Sequence, residues 1–279
     1  MSPDDLRASL GLRTVYRQSF DLVGRNAPAI LMLVIAIGWL PRLAIEHLPL
    51  HSLFPGRWDA ATWYTELAVA CLRIFLTELL LICVVHTVLA NKTGVGGSLR
   101  DTAIAASRRL LRLVPITLVL DWPALISTLA KLQYSPMLGG AAQGQNPFGY
   151  ITLWFAVSLV ASFWIILWVG VAGAVFIEES LPVTSTLARA ARLLSRQRWR
   201  FFRIWFPFAI FEIFLTGAMS FSAGLFHASI LAMAERSLGM IGLVTSLTSA
   251  FWAVLISVCY RELRRMKDGS TVEIAEVFD

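Results

Sequence analysis

The chain has 279 residues, 57% of them hydrophobic and only 15% charged, with a mean hydropathy of +0.68 and a formal net charge of +6. Soluble domains carry about 25% charged residues and at most about 50% apolar ones, so a soluble globule of this length is excluded. A disordered chain, which needs low hydrophobicity and high charge, is excluded too, as is a disulfide scaffold, since there are 3 cysteines. What remains is an all-α, polytopic integral membrane bundle, a single membrane domain over 1–279.

In chain order, residues 1–26 are polar and amphipathic. They lack the apolar stretch of a cleavable signal, so the first span is expected to serve as an uncleaved signal anchor. Leu12, Tyr16, Phe20 and Val23 share one face of that segment, and Arg13, Arg17 and Asp21 another. Spans follow at 27–45 and 66–90. Ser98 can cap a second amphipathic helix, in which Leu99, Ala103, Ala106, Leu110 and Leu113 recur at helical steps. A third span covers 113–130, and a fourth, 151–177, belongs to the longest uncharged stretch, between Lys131 and Glu178. A third amphipathic segment then sets Arg189, Arg192, Arg196, Arg200 and Arg203 on one stripe, with Leu187, Ala191, Leu194 and Phe201 opposite. Spans at 202–221 and 240–260 complete the set of six, and 261–279 is read as a cytoplasmic tail. Each run is near the roughly 20 residues that cross a hydrocarbon layer of about 30 Å. Barrel strands are ruled out, because the runs are too long and do not alternate. Cys71, Cys83 and Cys259 stand in no metal or redox spacing and read as small apolar residues.

Charge converts these spans into a topology. Most of the 24 lysines and arginines lie before the first span, in the second and fourth connections and after the sixth span. Only Arg42, Arg57, Arg73, Lys131 and Arg236 lie elsewhere. Basic connections stay on the cytoplasmic side, so both termini are expected there. The positive charge is thus a topology signal and not a mark of nucleic-acid binding. The amphipathic segments are expected to lie at the interface, their arginines against anionic headgroups or a protein partner. The order basic segment, outward span, loop, return span occurs three times, with prolines at Pro28, Pro115 and Pro207. This gives repeat units 1–90, 91–177 and 178–260, related by an axis along the membrane normal, or else a generic series of hairpins.

Four ionisable residues fall deep inside spans: Arg73, Glu78, Asp121 and Glu212. Asp121 and Glu212 each follow the last arginine of a basic segment, Arg112 or Arg203, by about 13 Å of helix. A charge at mid-membrane costs about 2.5–3.5 kcal/mol on insertion scales, so these groups are expected to face the bundle interior. They either form a polar site for a proton, cation or polar solute, or are satisfied by one another and by Ser and Thr hydroxyls. In Asp121-Trp122-Pro123 the proline also frees a backbone carbonyl. Weaker patterns lead nowhere. His47 and His51 are separated by Pro49, which breaks a ligand-spaced helix. Glu178-Glu179 resembles the paired glutamates of CAAX-type intramembrane proteases, but that motif needs an arginine four residues on, where Val183 stands. Ser220 and His227 have no acidic partner, and there is no P-loop or dinucleotide fingerprint. No catalytic residue, metal or cofactor is expected.

Three stretches carry a family likeness. They are the opening helix from Leu12-Arg13-Thr14-Val15-Tyr16 to Pro28; Glu178 to Val183 with the basic helix through Arg200; and the end of the last span, Tyr260-Arg261-Glu262-Leu263-Arg264-Arg265-Met266-Lys267-Asp268-Gly269. Over nearly its whole length the chain resembles the membrane domain fused to some bacterial glycerophosphoryl diester phosphodiesterases, and the stand-alone membrane proteins related to it. The resemblance implies a helical membrane domain. It does not bring the phosphodiesterase chemistry, which belongs to a separate soluble barrel with metal-binding Glu and Asp and a catalytic His. The expectation is a non-enzymatic membrane protein of envelope or lipid physiology, a scaffold or partner-binding subunit in contact with anionic lipids. The alternative is a small transporter or channel using Arg73, Glu78, Asp121 and Glu212.

Overall fold

The computed structural model describes residues 11–47, 60–90, 115–116, 119–120, 147–225 and 231–278, and among these every element is helical. We number the longer helices α1 (Leu12–Leu33), α2 (Leu40–His47), α3 (Ala60–Ala90), α4 (Pro147–Val169), α5 (Ala172–Glu179), α6 (Val183–Leu194), α7 (Arg198–Leu225) and α8 (Leu231–Phe278).

Among the described residues, four helical stretches are long and apolar enough to cross a membrane: Leu12–Ile45, Leu67–Leu89, Ala156–Glu179 and Gly242–Asp268. They contain or closely match the expected spans 27–45, 66–90, 151–177 and 240–260. The expected span 202–221 is helical within α7 but is not one of these four. The expected span 113–130 lies outside the described residues except for 115–116 and 119–120, which are helical.

The first stretch is one rod interrupted by a π-helical turn over Val34–Trp39 that joins α1 to α2. The backbone N–H of Leu40 reaches back to the Ile35 carbonyl, one residue farther than in an α-helix. Pro41 follows directly. Its missing N–H and bulky ring disturb the preceding turn, and a widened turn is how a helix absorbs this without breaking. The widening sets Gly38 against α3 and α8. A β-carbon at Gly38 would lie 2.7 Å from Ser246 Cβ and 3.0 Å from Leu80 Cδ2, so three helices meet there at a distance only glycine allows.

The core lies where α3 and α8 pack along each other. It takes in Leu80 and Cys83 to Val85 of α3, Ala253 to Leu255 and Val258 to Tyr260 of α8, and Val15 and Val34 of the first rod. Polar side chains enter it with their own satisfaction. The hydroxyls of Ser19, Ser246 and Ser257 each donate to the carbonyl one turn back, at 2.8 Å.

Residues 147–225 form a second structural theme. A turn at Gly170 and Val171 separates α4 from α5, in which Ala172 to Ile177 are all buried. The chain reverses at Ser180, whose φ of 51° lies in the left-handed region, and Pro182 leads into α6. The contacts then fix direction. Arg189 meets Glu179, Arg198 stacks on Trp168, and Phe202 and Trp205 pack on Phe163. Numbers rise along one limb as they fall along the other, so α6 and α7 run back antiparallel to α5 and α4. Packing buries Thr186, Ala190, Leu193 and Leu194 of α6 and leaves Arg192 exposed.

Candidate functional site

The charged ends of several helices converge at one place, the polar end of the bundle. It is where α1 begins, α3 and α5 end, and α8 passes from its apolar run into Arg261-Glu262-Leu263-Arg264-Arg265.

A clasp of hydrogen bonds ties the α5–α6 turn to α8. Tyr260 Oη donates to Glu179 Oε1 at 3.0 Å. Arg189 Nε donates to the same carboxylate at 3.2 and 3.3 Å, and its Nη2 pairs with Asp268. Arg264 Nη1 meets Glu178 Oε1 at 3.3 Å. Lys267 donates to the Arg192 carbonyl and to Ser195 Oγ. Burial opposes the charge on Arg189, but its bonds to Asp268 and Glu179 outweigh that cost and hold its pKa above the ordinary value. Two further ties bind α1 and α3 to this end. Gln18 donates to Glu262 at 3.2 Å, and Arg261 Nη2 donates to the Val88 carbonyl at 2.6 Å. The second bond satisfies carbonyls that the end of α3 leaves without an intrahelical donor. Tyr16 adds a link from α1 to the Ile204 carbonyl of α7, at 2.9 Å.

Beside the clasp an open groove of about 760 Å³ is lined by Gln18, Asp21 and Arg25 from α1 and by Arg261, Glu262 and Arg265 among others from α8.

The expected site residues divide. Of the basic stripe, Arg189 is held in the clasp, and Arg200 donates to Gln197 at 3.2 Å. Arg192, Arg196 and Arg203 are exposed, and their guanidiniums have no partner among the described residues. Near them Arg198 sets its guanidinium carbon 3.5 Å from the centroid of the Trp168 ring, and Trp164, Trp168 and Trp199 are exposed. Of the deep charges, Glu78 is buried, whereas Arg73, five residues earlier on α3, is exposed. Glu212 of α7 lies beside Thr248 of α8, whose hydroxyl donates to the Thr245 carbonyl at 3.0 Å. Asp121 lies outside the described residues. None of the three described ones lines the groove.

The structure adds residues that the sequence reading did not select. Arg42, set aside above as lying outside the basic clusters, is buried and donates to Thr77 Oγ1, which in turn donates to the Arg73 carbonyl. Tyr260, Arg264 and Asp268 were visible only as parts of a basic helix end, and Glu178-Glu179 only as a pair of acids. The available signal was complementarity, an acidic pair closing one helix and a cationic run following the apolar stretch of another. Among the described residues, no group of three or more His, Cys, Asp or Glu side chains could hold a metal ion. Comparisons with protein families, with curated proteins and with solved structures find no match to this chain.

Proposed function

We propose that the chain is a non-enzymatic, six-span integral protein of the bacterial cytoplasmic membrane, with both termini cytoplasmic, that acts as a lipid-engaging scaffold or partner-binding subunit in envelope or lipid physiology. One observation carries the reading. Arg192, Arg196 and Arg203 are exposed and unpaired among the described residues, and Trp168, under the Arg198 guanidinium, and Trp199 are exposed as well. Cations next to amphipathic rings are the surface chemistry of a headgroup layer. The acids nearby do not neutralise them, because Glu178 and Glu179 are engaged by Arg264, Arg189 and Tyr260. The segment 184–203, shared between α6 and the start of α7, then presents its free arginines to anionic lipid.

The test uses the full-length chain in nanodiscs containing phosphatidylglycerol and phosphatidylcholine, with co-purified lipid counted by native mass spectrometry. The wild type is expected to retain phosphatidylglycerol, less so at high salt. The triple variant Arg192→Gln/Arg196→Gln/Arg203→Gln is expected to lose that preference. An unchanged preference in the variant, or none in the wild type, refutes the reading. Fusions to the C-terminus check the orientation: green fluorescent protein should fluoresce and alkaline phosphatase should stay inactive.

A further inference from the structure

The groove at the polar end has a charge pattern that the clasp does not use up. Its lining holds arginines and carboxylates in equal number, with Leu22, Leu89 and Val258 as apolar neighbours. Several of the charges are already engaged. Arg264 serves Glu178, Arg261 serves the end of α3, and Glu262 receives Gln18. Three are left without a partner among the described residues: Asp21 and Arg25, one turn apart on α1, and Arg265 on α8.

We propose that this groove binds a phosphoethanolamine group, with its phosphate between Arg25 and Arg265 and its ammonium on Asp21. The proposal rests on the membrane reading above but uses different residues from the free arginine stripe. A ligand of one sign does not suit the site. An isolated phosphate or a phosphoglycerol group would leave Asp21 facing an anion, and a simple amine would leave two arginines uncompensated. A zwitterion satisfies all three. The i, i+4 spacing of Asp21 and Arg25 sets the charges about 5–6 Å apart at their bases, the scale of a phosphate and an amine joined by two carbons. The amine must also carry N–H groups, because a carboxylate accepts hydrogen bonds. Trimethylated choline has none and is recognised by aromatic cages, whereas Tyr260 is the one aromatic in this lining and its hydroxyl is given to Glu179.

The same group occurs on phosphatidylethanolamine and as free phosphoethanolamine. The lipid is the source the position suits, since Arg25, Leu89 and Arg261 mark the ends of the apolar runs of α1, α3 and α8. Those ends lie where headgroups begin.

The experiment reads lipid retention by the full-length protein, in nanodiscs of equal phosphatidylethanolamine, phosphatidylcholine and phosphatidylglycerol, by native mass spectrometry. Phosphatidylethanolamine should be enriched over phosphatidylcholine. Arg25→Gln and Arg265→Gln should each weaken its retention by about tenfold, the usual scale for loss of one charge-assisted hydrogen bond. Asp21→Asn should erase the distinction between ethanolamine and choline while leaving some binding. Free phosphoethanolamine is added to the same samples. Displacement of the lipid means the headgroup alone is recognised, and no displacement means the acyl chains are needed as well. Both results support the site and differ only on the source. Equal retention of phosphatidylcholine, or full retention in both arginine variants, overturns the proposal. The stripe variants of the previous section separate the two readings, because they should lower phosphatidylglycerol alone. If carbonate extraction releases the protein from membranes, the membrane reading itself has failed.

Discussion

Gly38 gives a test in which two physical effects have opposite signs. Judged by helix propensity alone, Gly38→Ala should stabilise the protein by up to about 1 kcal/mol. The packing says the reverse. The new methyl would sit 2.7 Å from Ser246 Cβ, where carbon atoms normally rest about 3.5–4.0 Å apart. Leu80 Cδ2, at 3.0 Å, is the tip of a flexible side chain and can move aside. Ser246 Cβ cannot, because it is fixed to the backbone of α8 and its hydroxyl is held by the Gly242 carbonyl. The first rod and α8 must therefore separate by about 1 Å, which loosens a buried contact and costs about 1–3 kcal/mol. The assay is thermal unfolding in detergent, followed by the intrinsic fluorescence of the 10 tryptophans. Ser246→Gly alone should destabilise by about 1 kcal/mol through helix propensity and the lost hydroxyl bond. The double variant Gly38→Ala/Ser246→Gly should be more stable than the sum of the two single effects predicts, since the clash is then absent. A Gly38→Ala protein at least as stable as the wild type, or simple additivity in the cycle, refutes the close approach of the two helices.

Other outcomes follow from the hairpin and the clasp. Glu179→Gln removes the charge on the acceptor and Tyr260→Phe removes the donor of one charge-assisted bond, and their double-mutant cycle should show coupling of about 1 kcal/mol in chemical denaturation. Ser180→Gly should be neutral to stabilising by about 1 kcal/mol, because Ser180 holds φ 51°, while Ser180→Val should lower the melting temperature clearly. Gly170→Ala should destabilise by about 1–3 kcal/mol or abolish folding, as its methyl would meet the Ile166 carbonyl oxygen at 2.5 Å and the Phe201 ring at 2.9 Å. A melting temperature for that variant equal to the wild type's would show that the α4–α5 turn is placed differently.

What the sequence revealed and what it hid have physical reasons. Apolar runs such as 66–90 and 240–260 announce themselves, because a helix of about 20 apolar residues has few stable environments other than lipid or a large core. The basic segment 184–203 was read as one helical stripe, but a turn at 195–197 splits it between α6 and α7, and its course back along α5 depends on contacts such as Phe163 with Phe202. The clasp was hidden for a similar reason. Glu179 and Tyr260 are separated by 81 residues and meet only because α5 ends level with the point where α8 leaves its apolar run. Arg42 was hidden in another way. The expected span 27–45 already contained it, but only the helix continuing through the π-helical turn and Pro41 brings Arg42 to Thr77 of α3.

The clasp and the groove share side chains, and this constrains how a ligand can act. Arg264 and Asp268 belong to both, as do Glu178 and Tyr260. A ligand that recruited Arg264 would have to take it from Glu178 and would loosen the link between α8 and the α5–α6 turn. A ligand held by Arg25, Arg265 and Asp21 joins α1 to α8 and leaves every clasp bond in place. The two cases separate by linkage, because a ligand stabilises the folded state by about 2.7 kcal/mol at a hundredfold excess over its dissociation constant only if binding breaks nothing. With phosphatidylethanolamine added, the melting temperature should therefore rise by the same amount in Glu178→Gln, which frees Arg264, as in the wild type. A rise that appears only once the clasp is cut would mean that ligand and clasp compete for Arg264, and would transfer the anion site from Arg25 and Arg265 to the centre of the clasp.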